Sequence, residues 1–183
     1  RRQRQMCIRD REEAGRLARY ECFTNYARKH QCSKIAVAHH QNDVAETILF
    51  RMIRGTGVQG MAGILPVNGE IIRPFLCLSR EEIIDVLKEL KQDYVDDSTN
   101  KCEEYSRNYI RHRILPEMEH INKKATVHVS ELGMQMQELL AYIAPKMDAL
   151  YKEKVVHREN GELLLEEQVF YEMDLFEQKE ILR

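Results

Sequence analysis

The sequence predicts an α/β fold, a parallel sheet covered by helices, followed by a mostly helical domain. Three observations carry that prediction. A helical pattern over residues 12–30 gives way to a short apolar run at residues 34–38 and then to a second helical pattern ending at Arg54, the helix–strand–helix order of α/β architecture. The run is apolar at successive positions, as in a parallel-sheet strand buried on both faces. Beyond Pro116 the character changes to one long apolar stripe (Ala125, Val129, Leu132, Met136, Leu139, Ile143, Met147, Leu150) at spacings of three and four.

The elements follow in order. Leu17, Tyr20, Phe23 and Ala27 give the first helix its period, and residues 31–33 break it before the strand. On the next helix Val44, Ala45, Ile48, Leu49, Met52 and Ile53 form the expected buried face, leaving Asp43, Glu46, Thr47, Arg51 and Arg54 on the other side. Four glycines (Gly55, Gly57, Gly60, Gly63) then mark a flexible or tightly turning loop. Asn68-Gly69, between residues 64–67 and 70–73, signals a hairpin. Ser79 and Glu82 form a capping box opening a helix with Ile83, Leu87 and Leu90 on its face, and NKCE at 100–103 resembles a second helix start after the polar loop VDDSTN. The long stripe is expected to be interrupted near Pro145. Its methionines read as core, and Asn160-Gly161 signals a second hairpin before a last helix from about Glu167.

Composition narrows the function. Hydrophobic residues make up 43% and charged residues 32% of 183, a globular balance with room for a core. A net charge of −2 excludes a uniformly basic surface, so nucleic-acid contact requires a local patch. Five cysteines without a C-x-x-C pair fit reduced thiols and a cytoplasmic location better than a disulfide frame or zinc site. No apolar run approaches the roughly 18 residues of a membrane span. The basic opening, residues 1–11, is read as a translated adapter remnant or a disordered arm that touches nucleic acid, and is set outside the fold. Residues 12–120 form the α/β domain and 121–183 a helical domain expected to be cut short, since LFEQKEILR ends inside a helical pattern.

Two constellations carry chemistry. HHQNDVAET at 39–47 stands where the strand hands over to the helix, at the carboxyl edge where open parallel sheets bind ligands. Carboxylates beside guanidinium groups can hold a magnesium-bound nucleotide while the cations neutralise phosphate. Taken singly, each of these residues reads more readily as a solvated helix face or, for the His pair, an ordinary strand end. His39, Asp43 and Glu46 are spaced for a metal, yet lack the ligand set of a dedicated zinc site. Arg107, Asn108, Arg111, His112 and Arg113 form the basic patch: Arg107 and Arg111 at i, i+4 repel each other unless an anion lies nearby. Tyr105 and Tyr109 offer stacking surfaces, and Arg73 and Arg80 extend the patch. The competing reading is a basic helix facing solvent or Asp96 and Asp97.

The ordered set HHxxDxxET, RxxRGxGxxGxxG, RP with a capped helix, DDST-N and RNxIRxxxLP resembles the bacterial tRNA(Ile)-lysidine synthetase family, of the N-type ATP pyrophosphatase (PP-loop), adenine nucleotide alpha hydrolase-like fold. The match runs from about Glu12 to Pro116 and more weakly onward. Each motif alone is weak; five in order are specific. The resemblance implies a ligase that uses ATP and Mg2+ to adenylate the wobble cytidine of the CAU-anticodon isoleucine tRNA, after which the ε-amine of free lysine displaces AMP. It places His40, Asp43 and Glu46 at the reaction centre, and Arg51, Arg54, Arg73, Arg107, Asn108 and Arg111 on phosphate or tRNA. Helical residues 121–183 would bind tRNA or link to it, and a homodimer is left open. The family's SGGxDS loop, whose backbone grips pyrophosphate and whose aspartate holds magnesium, has no counterpart in these residues, so the chain alone is expected to be inactive. The alternatives are a non-catalytic tRNA-binding scaffold on the same fold, or another tRNA-modifying ATP pyrophosphatase such as a thiolating enzyme, which the absence of paired cysteines disfavours.

Overall fold

A computed structural model describes residues 2–95, 106–157 and 162–182. The chain divides into two compact units, the first ending at Met134 and the second beginning at Gln135.

The first unit opens with α1 (Arg2–Lys29). The basic opening, expected to stand outside the fold, is therefore helical and continuous with the predicted first helix. Strand β1 (Ile35–Ala36) follows, then α2 (Gln41–Ile53) and the short α3 (Val58–Met61) inside the glycine loop. The hairpin falls as expected: β2 (Val67–Asn68) pairs antiparallel with β3 (Ile71–Ile72), and Gly69 takes φ +61° at the turn. β1 pairs with β3 in parallel, Ile35 opposite Ile71 and Ala36 opposite Ile72. Among the described residues the sheet is therefore small and mixed, in the order β1-β3-β2, and its parallel character rests on one strand pair. Nor is β1 covered on both faces: Ile35 is half-buried and Ala36 exposed.

The predicted capping box opens α4 (Arg80–Glu89), where the Glu82 amide donates to Ser79 Oγ at 3.1 Å and the Ser79 amide donates to Glu82 Oε2 at 2.7 Å. Ile83 and Leu87 are half-buried, while Leu90 is exposed. The predicted VDDSTN loop and NKCE start lie outside the described residues, apart from Val95. The chain resumes with α5 (Ser106–Tyr109), a π-helical turn (Ile110–Ile114) and α6 (Leu115–Ile121). The turn widens for a local reason. Pro116 has no N–H, and its ring would press on the His112 carbonyl in a regular helix; the Leu115 amide instead reaches back to Ile110 O.

Helix α7 (Ala125–Lys154) is assigned without a break at Pro145, where an interruption was expected. Its opening turns bury Ala125, Thr126, Ser130 and Gly133 in the first unit, which moves the contact boundary from about residue 120 to residue 134. The second unit holds the rest of α7, the hairpin strands β4 (Val156–His157) and β5 (Leu163–Leu164), α8 (Glu167–Glu172) and α9 (Leu175–Ile181). The Asn160-Gly161 turn between its strands lies outside the described residues.

The core of the first unit joins α2 to the π-turn and α6, with Ala45, Leu49, Ile110 and Leu115 buried together and Phe50, Ile114, Met118 and Val129 packed around them. Ile48, 1% exposed, seats against glycines on the other side. A Cβ on Gly63 would stand 3.1 Å from Ile48 Cγ1, and Gly63 also takes φ +66°. Gly63→Ala therefore combines a left-handed strain with a clash, and should cost about 2 kcal/mol or more in urea denaturation. Gly55→Ala, at φ +78° with nothing within 4 Å, carries the backbone strain alone and should cost about 1 kcal/mol. Equal losses for the two would remove the Ile48 contact from the account.

Candidate active site

Helix α2 begins beside two other elements. The Gln41 amide donates to Leu78 O at 2.9 Å, and the Arg80 amide at the start of α4 donates to Asn42 Oδ1 at 3.0 Å. His40 caps α2 in extended backbone, and its amide donates to Asp43 Oδ2 at 3.0 Å, so Asp43 closes the first turn from inside. His40 Nε2 stands 3.6 Å from the same oxygen.

One turn on, Glu46 accepts two bonds from Arg111, Nε to Oε1 at 2.6 Å and Nη2 to Oε2 at 2.9 Å, and Nη2 reaches Asp43 Oδ1 at 3.4 Å. This is a bidentate guanidinium–carboxylate pair joining residues 65 positions apart. The Glu46 side chain is 3% exposed, against 22% for Asp43 and 25% for Arg111. The exposed stripe expected on α2 is thus not exposed where it matters. Glu46 and Thr47 are buried, whereas Met52 and Ile53, expected in the core, are 52% and 61% exposed. The π-turn explains the burial of Glu46: it lays Arg111 over the polar side of α2, so that burial is offset by an ion pair.

Burial raises the Glu46 carboxyl above its ordinary range; the Arg111 hydrogen bond and charge oppose that and Asp43 adds to it. Arg111, in turn, is held more firmly protonated by its bond to Glu46. Burial lowers the His39 imidazole, with Arg73, Arg107 and His40 adding to the fall and Asp43 opposing it.

The other predicted residues separate into three groups. Arg51 is turned to structure: its Nη1 donates to Gly60 O and Gly63 O, each at 2.9 Å, which ties down the glycine loop. Arg54 and Arg107 are exposed and stand over the half-buried Phe50 ring, at 5.1 Å and 5.9 Å. Arg73 donates through Nη1 to Leu65 O at 2.7 Å, while its Nε is buried with no hydrogen-bond partner. Asn108 is half-buried on α5, Tyr109 is 51% exposed, and Tyr105 falls outside the described residues. Sequence reasoning missed Phe50, whose signal was its i, i+4 spacing to Arg54, and Glu119, which joins His40, Glu46, Arg80, Arg111 and His112 around a cavity of about 230 Å³.

Among the described residues no three His, Cys, Asp or Glu side chains converge as a metal site. Asp43 and Glu46 share one guanidinium instead, which makes them a poor magnesium cage. The cations around Phe50 do fit phosphate.

The PP-loop domain family matches residues 2–118. The chain belongs to the PP-loop family. Curated relatives sharpen the placement within it. Over 128 residues the chain is 52% identical to a tRNA(Ile)-lysidine synthase of Bacteroides thetaiotaomicron, covering 70% of this chain and 30% of that protein. Proteins of the same name from Thermosipho africanus (42% over 137 residues; 75% and 32%) and Caldanaerobacter subterraneus subsp. tengcongensis (39% over 143 residues; 78% and 31%) align similarly. The chain spans about a third of the length of these relatives. The resemblance drawn from the motifs holds, and the PP-loop match covers the helical opening as well.

Because the folded pKa of Glu46 lies above its ordinary 4.5, its contribution to stability is fully present below that value and is lost as pH rises through the raised pKa. Arg111→Met removes the opposing charge and should enlarge that loss, costing about 3 kcal/mol at neutral pH and much less in mild acid. Adding Glu46→Gln to Arg111→Met should flatten the difference. Urea denaturation across that pH window checks this, and an equal cost at both ends would dissociate Glu46 from the effect.

Proposed function

We propose that this chain carries the second part of the catalytic site of a tRNA(Ile)-lysidine synthase. The reaction is ATP-dependent adenylation of the wobble cytidine in the CAU-anticodon isoleucine tRNA, followed by attack of the lysine ε-amine at C2 and departure of AMP. The observation that carries it is the Asp43–Glu46–Arg111 cluster at the carboxyl edge of β1, supported by relatives of that name at 39–52% identity.

The chemistry assigns unlike tasks to the two carboxylates. The O2 of cytosine leaves poorly until it carries AMP, and the amine that displaces it must first lose a proton. Asp43, 22% exposed against 3% for Glu46, is the more accessible of the two carboxylates to a substrate amine. Glu46 acts as a positioning residue that holds Arg111 beside Asp43. The adjoining cavity suits free lysine: of the side chains around it, Glu119 can meet an ammonium group and Arg80 a carboxylate. Arg54 and Arg107 supply positive charge for the phosphates of ATP or the tRNA backbone. ATP, when bound, brings the activated phosphoryl group. Magnesium would arrive on the nucleotide, where it would neutralise phosphate charge, rather than on these carboxylates. No described helix is long and apolar enough to cross a membrane.

In a protein of the relatives' full length that contains these residues, Asp43→Asn should lower lysine-dependent AMP formation by about 10²-fold or more while circular dichroism stays unchanged. A wild-type rate would sink the site assignment. Binding of isoleucine tRNA with no AMP release from the unmutated protein would return the scaffold reading.

A further inference from the structure

The corner between α6 and α7 carries one hydrogen bond more than its turn requires. Asn122 already closes it: the Ala125 amide donates to Asn122 O at 2.8 Å, and the Lys124 amide donates to Asn122 Oδ1 at 2.9 Å. Thr126, the second residue of α7 and 5% exposed, adds a hydroxyl that donates to Glu119 Oε1 on α6. A buried hydroxyl must find a partner, and a helical threonine commonly finds it in the backbone carbonyl one turn back. Here the proton is directed to a carboxylate instead.

That carboxylate belongs to the site. Glu119 is half-buried and lines the cavity of about 230 Å³ with Arg80, Glu46 and Arg111. Among the described residues it has no ion-pair partner, and Arg111 in the same cavity is engaged by Glu46 and Asp43. A carboxylate held in place by a buried donor, with no cation of its own, suits a cation that a ligand brings.

Chemistry selects the cation. The ε-amine of lysine must be neutral to attack, whereas an ammonium group paired with a carboxylate is held protonated. The group that stays charged throughout is the α-ammonium. We propose that Thr126 is a positioning residue whose hydroxyl holds Glu119 against the α-ammonium of the amino-acid substrate. This role rests on the lysidine reading for its amino acid, and adds to it a side chain that touches no reacting atom.

The test is steady-state AMP formation with varied lysine, in a protein of the relatives' full length that contains these residues. Thr126→Val, which keeps the shape and removes the donor, should raise KM for lysine about tenfold while kcat stays within about twofold. Thr126→Ser should restore KM. In a Glu119→Gln background, Thr126→Val should add nothing, since the charge it positions is already gone. The competitor ε-aminocaproate, which lacks the α-ammonium, should act equally on the unmutated protein and on Thr126→Val. A purely structural threonine would lower kcat or melting temperature with KM unmoved, or add its effect to that of Glu119→Gln; either result overturns the proposal. Should Thr126→Val fail to fold, Glu119→Gln carries the test, because it keeps an acceptor for the hydroxyl: a raised KM supports the role and an unchanged one overturns it. Absence of lysine-dependent AMP from the unmutated protein would remove the lysidine reading and this role together, whereas normal turnover with an unmoved KM in the variants removes this role alone.

Discussion

The first unit is organised around one buried ion pair. Glu46 lies on the inward side of α2 and Arg111 on the π-turn, and their two-pronged bond fixes how these elements meet. Such a pair is a weak source of net stability, because desolvating both charges offsets most of their attraction. Its value lies in specificity. Ala45, Leu49, Ile110 and Leu115 would tolerate small shifts between the helices, whereas the planar fork of a guanidinium against a buried carboxylate tolerates few. The same geometry sets Arg111 Nη2 within reach of Asp43, so the scaffold constraint and the site share one side chain.

This sharing explains which parts of the sequence were legible. The capping box at Ser79, the hairpin at Gly69 and the helices over residues 12–30 and 41–53 are local matters, decided by neighbours within a few positions. The inward face of α2 is decided elsewhere. With its partner 65 residues away, Glu46 reads as a solvated acid, and Met52 and Ile53 read as core because nothing nearby says that the helix end projects from the packed region. The π-turn was equally illegible, although Pro116 contained its cause. Sheet type was half legible: the apolar run at residue 35 predicts a strand, but only pairing with β3 reveals a mixed sheet with one exposed position.

Arginines at similar spacing have unlike duties for the same reason. Arg51 and Arg54 are one turn apart on the same helix, yet Arg51 is drawn down to the carbonyls of Gly60 and Gly63 while Arg54 stays out over Phe50. The glycine loop therefore serves as an acceptor cradle for a protein guanidinium. Burial and the nearby Arg107 charge both lower the proton affinity of Arg51, a cost offset by two carbonyl bonds. Arg54 and Arg107 stand outside that cradle, over the aromatic face of Phe50.

The adjacent histidines follow from the handover between strand and helix. Successive residues in extended backbone face opposite sides, and His40, at φ −127° and ψ 179°, is extended. One imidazole is therefore directed to the helix cap, where it meets Asp43 and the cavity, and the other is left among Arg73 and Arg107 at the sheet edge. A single histidine could serve one of these surroundings only. Two in succession let one chain segment address a carboxylate-rich cluster and a cation-rich edge at once, an arrangement that suits the proposed two-step reaction of phosphoryl activation and amine attack.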